Sequence, residues 1–233
     1  MKKIFNALYL VLILIIIISY AIMDFSDEYD SSYFKYVLVI LVLIYVFYNA
    51  IEYIINKKNI IINILYMLAI SFTLISDWFL LILDKYYLIA LIPFIIAHSC
   101  YSLLIYYSSK NRNLLRFFIE KIVIIILGVI VLIILKDIIG LLIGIYAGCL
   151  IFNFVDGLLL YIKTKEYYAM LLLIGFVLFI GCDICVALSD LYLVFDETDK
   201  IIEIEVIASN LIWVFYGPSQ YFLSLSINRG GNK

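Results

Sequence analysis

Two aspartates stand alone in apolar stretches of the chain, Asp77 in Ile75-Ser76-Asp77-Trp78 and Asp183 in Gly181-Cys182-Asp183-Ile184. No other Asp, Glu, Lys, Arg or His lies within five positions of either one. A charge at the centre of a bilayer is costly, so such residues usually face a bundle interior or a watery cavity and take part in function. The chemistry open to this pair is proton transfer, either as general acid and base or as a proton relay.

His98 is the only histidine in the chain and occurs in Phe94-Ile-Ile-Ala-His98-Ser-Cys-Tyr101. Phe94, His98 and Tyr101 share one helical face by their i,i+4 and i,i+3 spacing. The imidazole is therefore either a core group bonded to a neighbouring polar atom or a member of the same site as the aspartates.

Asn153 and Asp156 also share a helical face by i,i+3 spacing, with Tyr146 further along the same helix. Asn153 lies at a depth that suits the site. Asp156 lies near the end of its apolar run, where it either joins the site or reaches interfacial water.

The last apolar run carries Tyr216, Ser219 and Gln220 around Pro218. Proline frees a backbone carbonyl and kinks a helix, so this bend could expose polar backbone to a cavity. Ser219 and Gln220 also suit a simpler function as hydrogen-bond partners between membrane helices.

Residue supply excludes several enzyme classes. The chain has no Gly-x-Ser-x-Gly elbow, no His-Glu-x-x-His zinc helix and no Walker loop, and a single histidine cannot build a His-rich metal centre. Cys182-x-x-Cys185 has a metal or redox spacing, but no second pair accompanies it, which favours packing. We expect no metal and no cofactor, which leaves carboxylate chemistry.

The composition predicts the frame that positions these residues. The chain has 233 residues, 67% of them hydrophobic and 15% charged, which is too apolar for a soluble fold. Since each crossing needs about 20 apolar residues, we predict an all-α polytopic membrane protein, a bundle of eight transmembrane helices forming a single domain over 1–233. The predicted spans are 4–23, 34–52, 60–83, 86–107, 117–135, 138–161, 167–189 and 206–227.

Lysines and arginines are sorted by loop, and cytoplasmic loops collect positive charge. One side would hold Lys2, Lys3, Lys57, Lys58, Lys110, Arg112, Arg116, Lys121, Lys163, Lys165, Arg229 and Lys233, and the other only Lys35, Lys85, Lys136 and Lys200, with acidic clusters at 24–30 and 196–205. This pattern predicts that both termini are cytoplasmic. The formal net charge of -2 indicates no particular partner, and we expect no nucleic acid.

Asp77 and Asp183 would lie on the third and seventh spans, which run in the same direction. At 1.5 Å rise per residue they lie roughly 26 and 24 Å from the cytoplasmic ends of their helices, and His98 roughly 18 Å from the outer end. The carboxylates therefore share a depth, toward the outer face. A parallel four-plus-four duplication is one explanation of this spacing.

Four motifs together resemble the YhhN-like lysoplasmalogenase family of eight-span membrane proteins. They are Ser76-Asp77-x-x-Leu80, Phe94-x-x-x-His98-x-x-Tyr101, Phe179-x-x-x-Asp183-x-x-x-x-Leu188 and Tyr216-x-x-Ser219-Gln220. The resemblance runs from about residue 60 to the end of the chain. The family usually has Gly where this chain has Ser76 and Ser where it has Cys182, and a Gly usual between the third and fourth helices is missing near Ala90.

The resemblance implies hydrolysis of the vinyl-ether bond of lysoplasmalogens to a fatty aldehyde and a glycerophospho-alcohol, with a lysophospholipid substrate in the cell membrane. One protonated carboxyl and one carboxylate are the groups such a reaction requires, as in glycosidases that pass through a related cation. Asp77 and Asp183 would then be catalytic. His98, Tyr101, Asn153, Tyr216, Ser219 and Gln220 would bind substrate or support the pair.

Two alternatives stay open at this stage. Intramembrane Asp and His also serve as proton relays in transporters, where a repeated bundle can rock. A non-catalytic, lipid-binding member of the same fold is the other alternative, because the residues before both aspartates depart from the family pattern. The headgroup preference and the oligomeric state do not follow from the sequence.

Overall fold

The computed structural model of the protein describes residues 2–26, 30–83, 85–109, 113–190 and 199–227, and of residues 2, 3, 199 and 200 the backbone alone. The described residues form eight helices and no strand, and each helix is long and apolar enough to cross a membrane. The helices are α1 (Lys2–Ser26), α2 (Ser32–Ile55), α3 (Ile60–Asp77, continued by a π-helical turn at Trp78–Ile82), α4 (Tyr87–Ser108), α5 (Leu114–Leu135), α6 (Ile138–Thr164), α7 (Tyr167–Ser189) and α8 (Asp199–Leu225). The predicted all-α bundle of eight spans is confirmed, whereas the orientation of its termini stays a prediction.

The largest boundary difference lies at α8, which begins at Asp199 and not near residue 206. The apolar run begins later, so hydrophobicity alone placed the start too far along the chain. Glu203 and Glu205 are good helix formers and extend the helix beyond its apolar part.

Six helices form a ring. Contacts between neighbours run from α2 through α3, α4, α6, α7 and α8 and return to α2. Fully buried aromatic rings of three ring helices pack against one another, Tyr101 of α4 contacting both Tyr66 of α3 and Phe176 of α7.

The other two helices pack outside the ring. Helix α1 contacts α2 and α8, and α5 packs against α6. The order of contacts in α1–α4 thus returns in α5–α8, with the aspartate-bearing helices α3 and α7 at equivalent places. Helix α1 also contacts α8, whereas the described residues of α5 make no comparable contact with those of α4, so the four-plus-four duplication stays a prediction.

Short polar segments start and connect the helices. Asn113 and Asp137 cap α5 and α6, where their side chains accept hydrogen bonds from the backbone N–H of Arg116 and Ile139 at 3.0 and 3.1 Å. Several connections adopt positive φ at residues that are not glycine: Lys57, Asn59, Tyr86, Lys136 and Lys165.

Glycines instead bring two helices together. Gly140, Gly144 and Gly148 recur every four residues on the face of α6 that meets α5. A Cβ at Gly144 would lie 2.7 Å from the Cα of Gly128 on α5, so the two backbones are almost in contact. Helix α5 has few other anchors, because its only buried residues are Glu120, Ile124 and Gly128.

We predict that Gly144→Ala lowers the stability of the purified protein. The added methyl meets backbone that cannot move aside, and overpacking costs about 1–3 kcal/mol, which outweighs the gain of roughly 1 kcal/mol in helix propensity. The measurement is the temperature of loss of monodisperse protein in detergent.

Gly157→Ala is the matched control on the same helix. Its Cβ would lie 3.4 Å from a ring carbon of Phe176, an ordinary van der Waals distance. This variant should be as stable as the wild type or slightly more so. Equal melting temperatures for the two variants would contradict the close approach of α5 and α6.

Candidate functional site

Asp77 lies where α3 changes its geometry. The α-helix ends at Asp77, and the next turn, Trp78–Ile82, is π-helical, with the N–H of Leu83 bonded to the carbonyl of Trp78 at 3.1 Å. Single π-helical turns are rare and frequently mark functional sites. The side chain before it, Ser76, donates to the carbonyl of Ala90 at 2.6 Å and so ties α3 to α4 beside the aspartate.

Tyr216 reaches Asp77 from α8, which is separated from α3 by α2 along the ring. The Asp77 side chain is almost fully buried, with 2% of the residue exposed, and its Oδ2 accepts a hydrogen bond from the Tyr216 hydroxyl at 2.7 Å. A buried carboxyl needs such a partner, because without one its removal from water is not offset.

Asp183 on α7 has a similar partner but a different exposure. Its Oδ1 accepts a hydrogen bond from the Tyr146 hydroxyl of α6 at 3.1 Å. Asp183 and Tyr146 are both partly exposed, whereas Asp77 and Tyr216 are buried. The two aspartates therefore differ in their access to solvent or to a ligand.

Asp77 and Asp183, both in described helices, do not hydrogen-bond to each other. They are part of one cluster because they share neighbouring side chains. Tyr146 and Cys182 each lie within electrostatic range of both Asp77 and Asp183. The ring of Phe179 packs edge-on against Tyr216, with their centroids 5.4 Å apart. The two residues that the sequence singled out first therefore share the neighbours Tyr146 and Cys182.

His98 lies next to this cluster and is enclosed by aromatic rings. Its ring centroid lies 4.9 Å from that of Phe179, 5.4 Å from Tyr146 and 6.2 Å from Tyr101. Asn153 donates from Nδ2 to the His98 carbonyl at 2.8 Å and lies 3.3 Å from His98 Nδ1. Because Nδ2 is only a donor, this contact favours the tautomer of His98 that carries its ring proton on Nε2.

Several buried polar atoms around the cluster have no hydrogen-bond partner among the described residues. They are the Tyr101 hydroxyl, Asn153 Oδ1 and both amide atoms of Gln220. Most buried polar atoms are satisfied in native proteins, so these atoms have the capacity to bind the polar groups of a ligand.

Ser219 does not take part through its hydroxyl. It donates to the carbonyl of Tyr216 at 2.7 Å, one turn back on its own helix. Pro218 breaks the backbone bonding nearby, and Tyr20 of α1 donates to the carbonyl of Trp213 at 2.8 Å. Ser219 therefore bonds to the backbone of α8 in the turn that carries Tyr216 and Pro218.

Asp156 lies outside the cluster. It forms an ion pair with Arg116 of α5, which also binds Glu120, in a separate charged group. Cys182 and Cys185 are free thiols, and in the described ranges no three His, Cys, Asp or Glu side chains converge as metal ligands would.

Sequence reasoning did not assign Tyr146 to the site. Tyr146 and Asn153 are seven residues apart and therefore lie on one face of α6, which was the available signal. The chain has 21 tyrosines, however, so a single tyrosine on a polar face carries little information.

Comparison with known proteins identifies the family. No curated protein and no solved structure matches the chain. The model of the YhhN family matches residues 30–227, which include α2 to α8 and every residue of the cluster described above. The chain belongs to the YhhN family.

Proposed function

We propose that the protein is a membrane-embedded hydrolase that cleaves the vinyl-ether bond of lysoplasmalogens. The observation that carries the proposal is the pair of aspartates inside an apolar ring, each held by the hydroxyl of a tyrosine from another helix. Family membership supports a hydrolase more generally.

The reaction needs one proton donor and one base. A carboxyl proton adds to the β-carbon of the vinyl ether and produces an oxocarbenium ion. Water adds to the carbon bearing the ether oxygen while the second carboxylate takes its proton, giving a hemiacetal. The hemiacetal breaks its bond to the glycerol oxygen, which takes up a proton, and leaves an aldehyde and an alcohol.

The different exposures favour a division of these functions. Asp183 is the more exposed of the two, so it is assigned to orient the attacking water and stabilise the cation. Asp77 is then the proton donor, with Tyr216 fixing its carboxyl. Tyr101, Asn153 and Gln220 supply polar atoms for the glycerol and headgroup oxygens. His98 of α4 bonds to Asn153 of α6 and so joins these two helices beside the site.

We predict that Asp77→Asn and Asp183→Asn each reduce aldehyde release by about 100-fold or more, since general acid-base catalysis contributes about 10²–10⁴-fold. The assay uses a vinyl-ether lysolipid and purified, monodisperse protein in detergent. Asp190→Asn is the control, because Asp190 is exposed directly after α7 and should keep wild-type activity. Full activity in folded Asp77→Asn would eliminate the pair as the catalyst.

We further predict that Tyr146→Phe and Tyr216→Phe lower the turnover rate by about tenfold each, because a hydrogen bond to a charged group contributes about 1.5 kcal/mol or more. The substrate concentration for half-maximal rate should change less. Tyr161→Phe on α6 is the matched control, since its ring lies under Lys165, away from the aspartates. Unchanged turnover in both test variants would show that the tyrosines do not position the carboxyls.

Proton-coupled transport is a second candidate, and one observation favours it. Polar groups occur at successive depths, from the aspartates through His98 and Asn153 to Lys121, which donates to Ser102 at 2.6 Å. Such a column resembles a proton path.

Activity measured in liposomes with and without a proton gradient separates the two functions. For a hydrolase, aldehyde release in detergent and in ionophore-treated liposomes should be equal. Absence of aldehyde from folded protein, together with gradient-dependent movement of a lysolipid, would favour the transporter.

A further inference from the structure

A second polar site lies at the other end of the bundle from the π-helical turn. A cavity of about 290 Å³ opens between the C-terminal end of α4, the N-terminal turns of α5 and the C-terminal turns of α6. The side chains that define it are Tyr106, Arg116, Phe117, Glu120, Asp156 and Lys163. We call this space the α4–α6 cavity.

Arg116 uses only some of its N–H donors in hydrogen bonds to protein partners. Its Nε donates to Glu120 at 2.6 Å, and its Nη2 donates to Asp156. A guanidinium has five N–H donors, so three have no partner among the described residues, and the Arg116 side chain is 41% exposed. Glu120 is buried, with 6% of the residue exposed. Arg116, Glu120 and Asp156 therefore form a partly buried charged group and not a surface ion pair.

Lys163 adds a second cation at the rim. It lies in the last turn of α6, is exposed, and has no hydrogen bond or ion pair to the described residues. Arginine and lysine donors at one cavity are the usual partners of phosphate oxygens.

The same cavity has features that suit a cation. The carboxylates of Glu120 and Asp156 lie on its wall, and the rings of Tyr106 and Phe117 pack with their centroids 5.1 Å apart. Carboxylates and aromatic faces together bind ammonium groups. An anion alone would meet two like charges here, whereas a ligand with both signs would not.

The surroundings suit a lipid. Leu159, Leu160 and Ile105 form the aliphatic part of the wall, beside the polar Ser109 and Asn113. Beyond it, exposed Ile119, Ile122 and Ile126 give α5 an apolar surface along which an acyl chain can lie.

One lysolipid cannot use this cavity and the aspartates together. Asp156 and Tyr146, which binds Asp183, are ten residues apart on α6, or about 15 Å along its axis. The phosphate and the vinyl ether of a lysolipid are separated by only about 8 Å of extended chain, estimated from ordinary bond lengths.

We propose that the α4–α6 cavity binds the headgroup of a zwitterionic phospholipid. The phosphate bonds to the spare donors of Arg116 and to Lys163, and the ammonium lies between Glu120, Asp156 and the two rings. This site is separate from the proposed hydrolase site and does not rest on its activity.

Native mass spectrometry of the protein in maltoside tests this proposal with lipids that lack a vinyl ether. Dioleoyl phosphatidylethanolamine should bind more tightly than dioleoyl phosphatidylglycerol, which has the phosphate but no ammonium. Lys163→Gln should weaken phosphatidylethanolamine binding about fivefold, which is the contribution to affinity expected of one lysine near a lipid phosphate. Tyr106→Leu should reduce the preference for phosphatidylethanolamine over phosphatidylglycerol.

Lys57→Gln is the matched control, because Lys57 is an exposed lysine beyond the end of α2 and, by the charge pattern, on the same side of the membrane. It should leave binding unchanged. Equal binding of both lipids, or equal effects of the two lysine variants, would overturn the proposal and indicate nonspecific lipid. Displacement of the lipid by free glycerophosphoethanolamine at similar concentration would show a soluble ligand and overturn the lipid assignment.

Discussion

The hydrogen bond from Tyr216 to Asp77 is the constraint on which the arrangement depends. It joins α8 to α3, which are not neighbours along the ring, and so it crosses the interior. A carboxyl at this depth is tolerated only with a partner. Pro218, which has no backbone N–H, follows Tyr216 in α8, and the π-helical turn follows Asp77 in α3. The regular α-helical hydrogen bonding is thus interrupted close to both ends of this bond.

The two aspartates occupy equivalent helices, but their surroundings are not equivalent. Asp183 is bound by a tyrosine from the adjacent α6, and Asp77 by one from α8, which is not adjacent to α3 in the ring. One carboxyl is partly exposed and the other is sealed. Equivalent positions with unequal access are what an acid-base pair requires, since a pair with identical environments would have no basis for two different functions.

Much of the frame could be predicted because its cause is local. Length and hydrophobicity define the spans, and a single aspartate within an apolar run is easily recognised in the sequence as a candidate functional residue. The tertiary partners could not be predicted: Asp156 remained ambiguous until Arg116 was seen beside it, and Ser219 was expected to support the site directly but bonds its own backbone. The π-helical turn left no sign in the residues around Trp78, because its backbone geometry depends on packing between helices.

In the connections between helices, lysines adopt the left-handed backbone conformation that glycine usually adopts. The described glycines all lie inside helices, while Lys57, Lys136 and Lys165 hold left-handed conformations at helix ends. A side chain in that conformation costs roughly 1–2 kcal/mol, and glycine would relieve it. Lys57 and Lys165, however, bring positive charge to loops that the charge pattern predicts to be cytoplasmic, and such charge directs the insertion of a membrane protein. At these turns, the folded protein therefore retains some backbone strain, and the lysine that causes it helps to direct how the chain inserts into the bilayer.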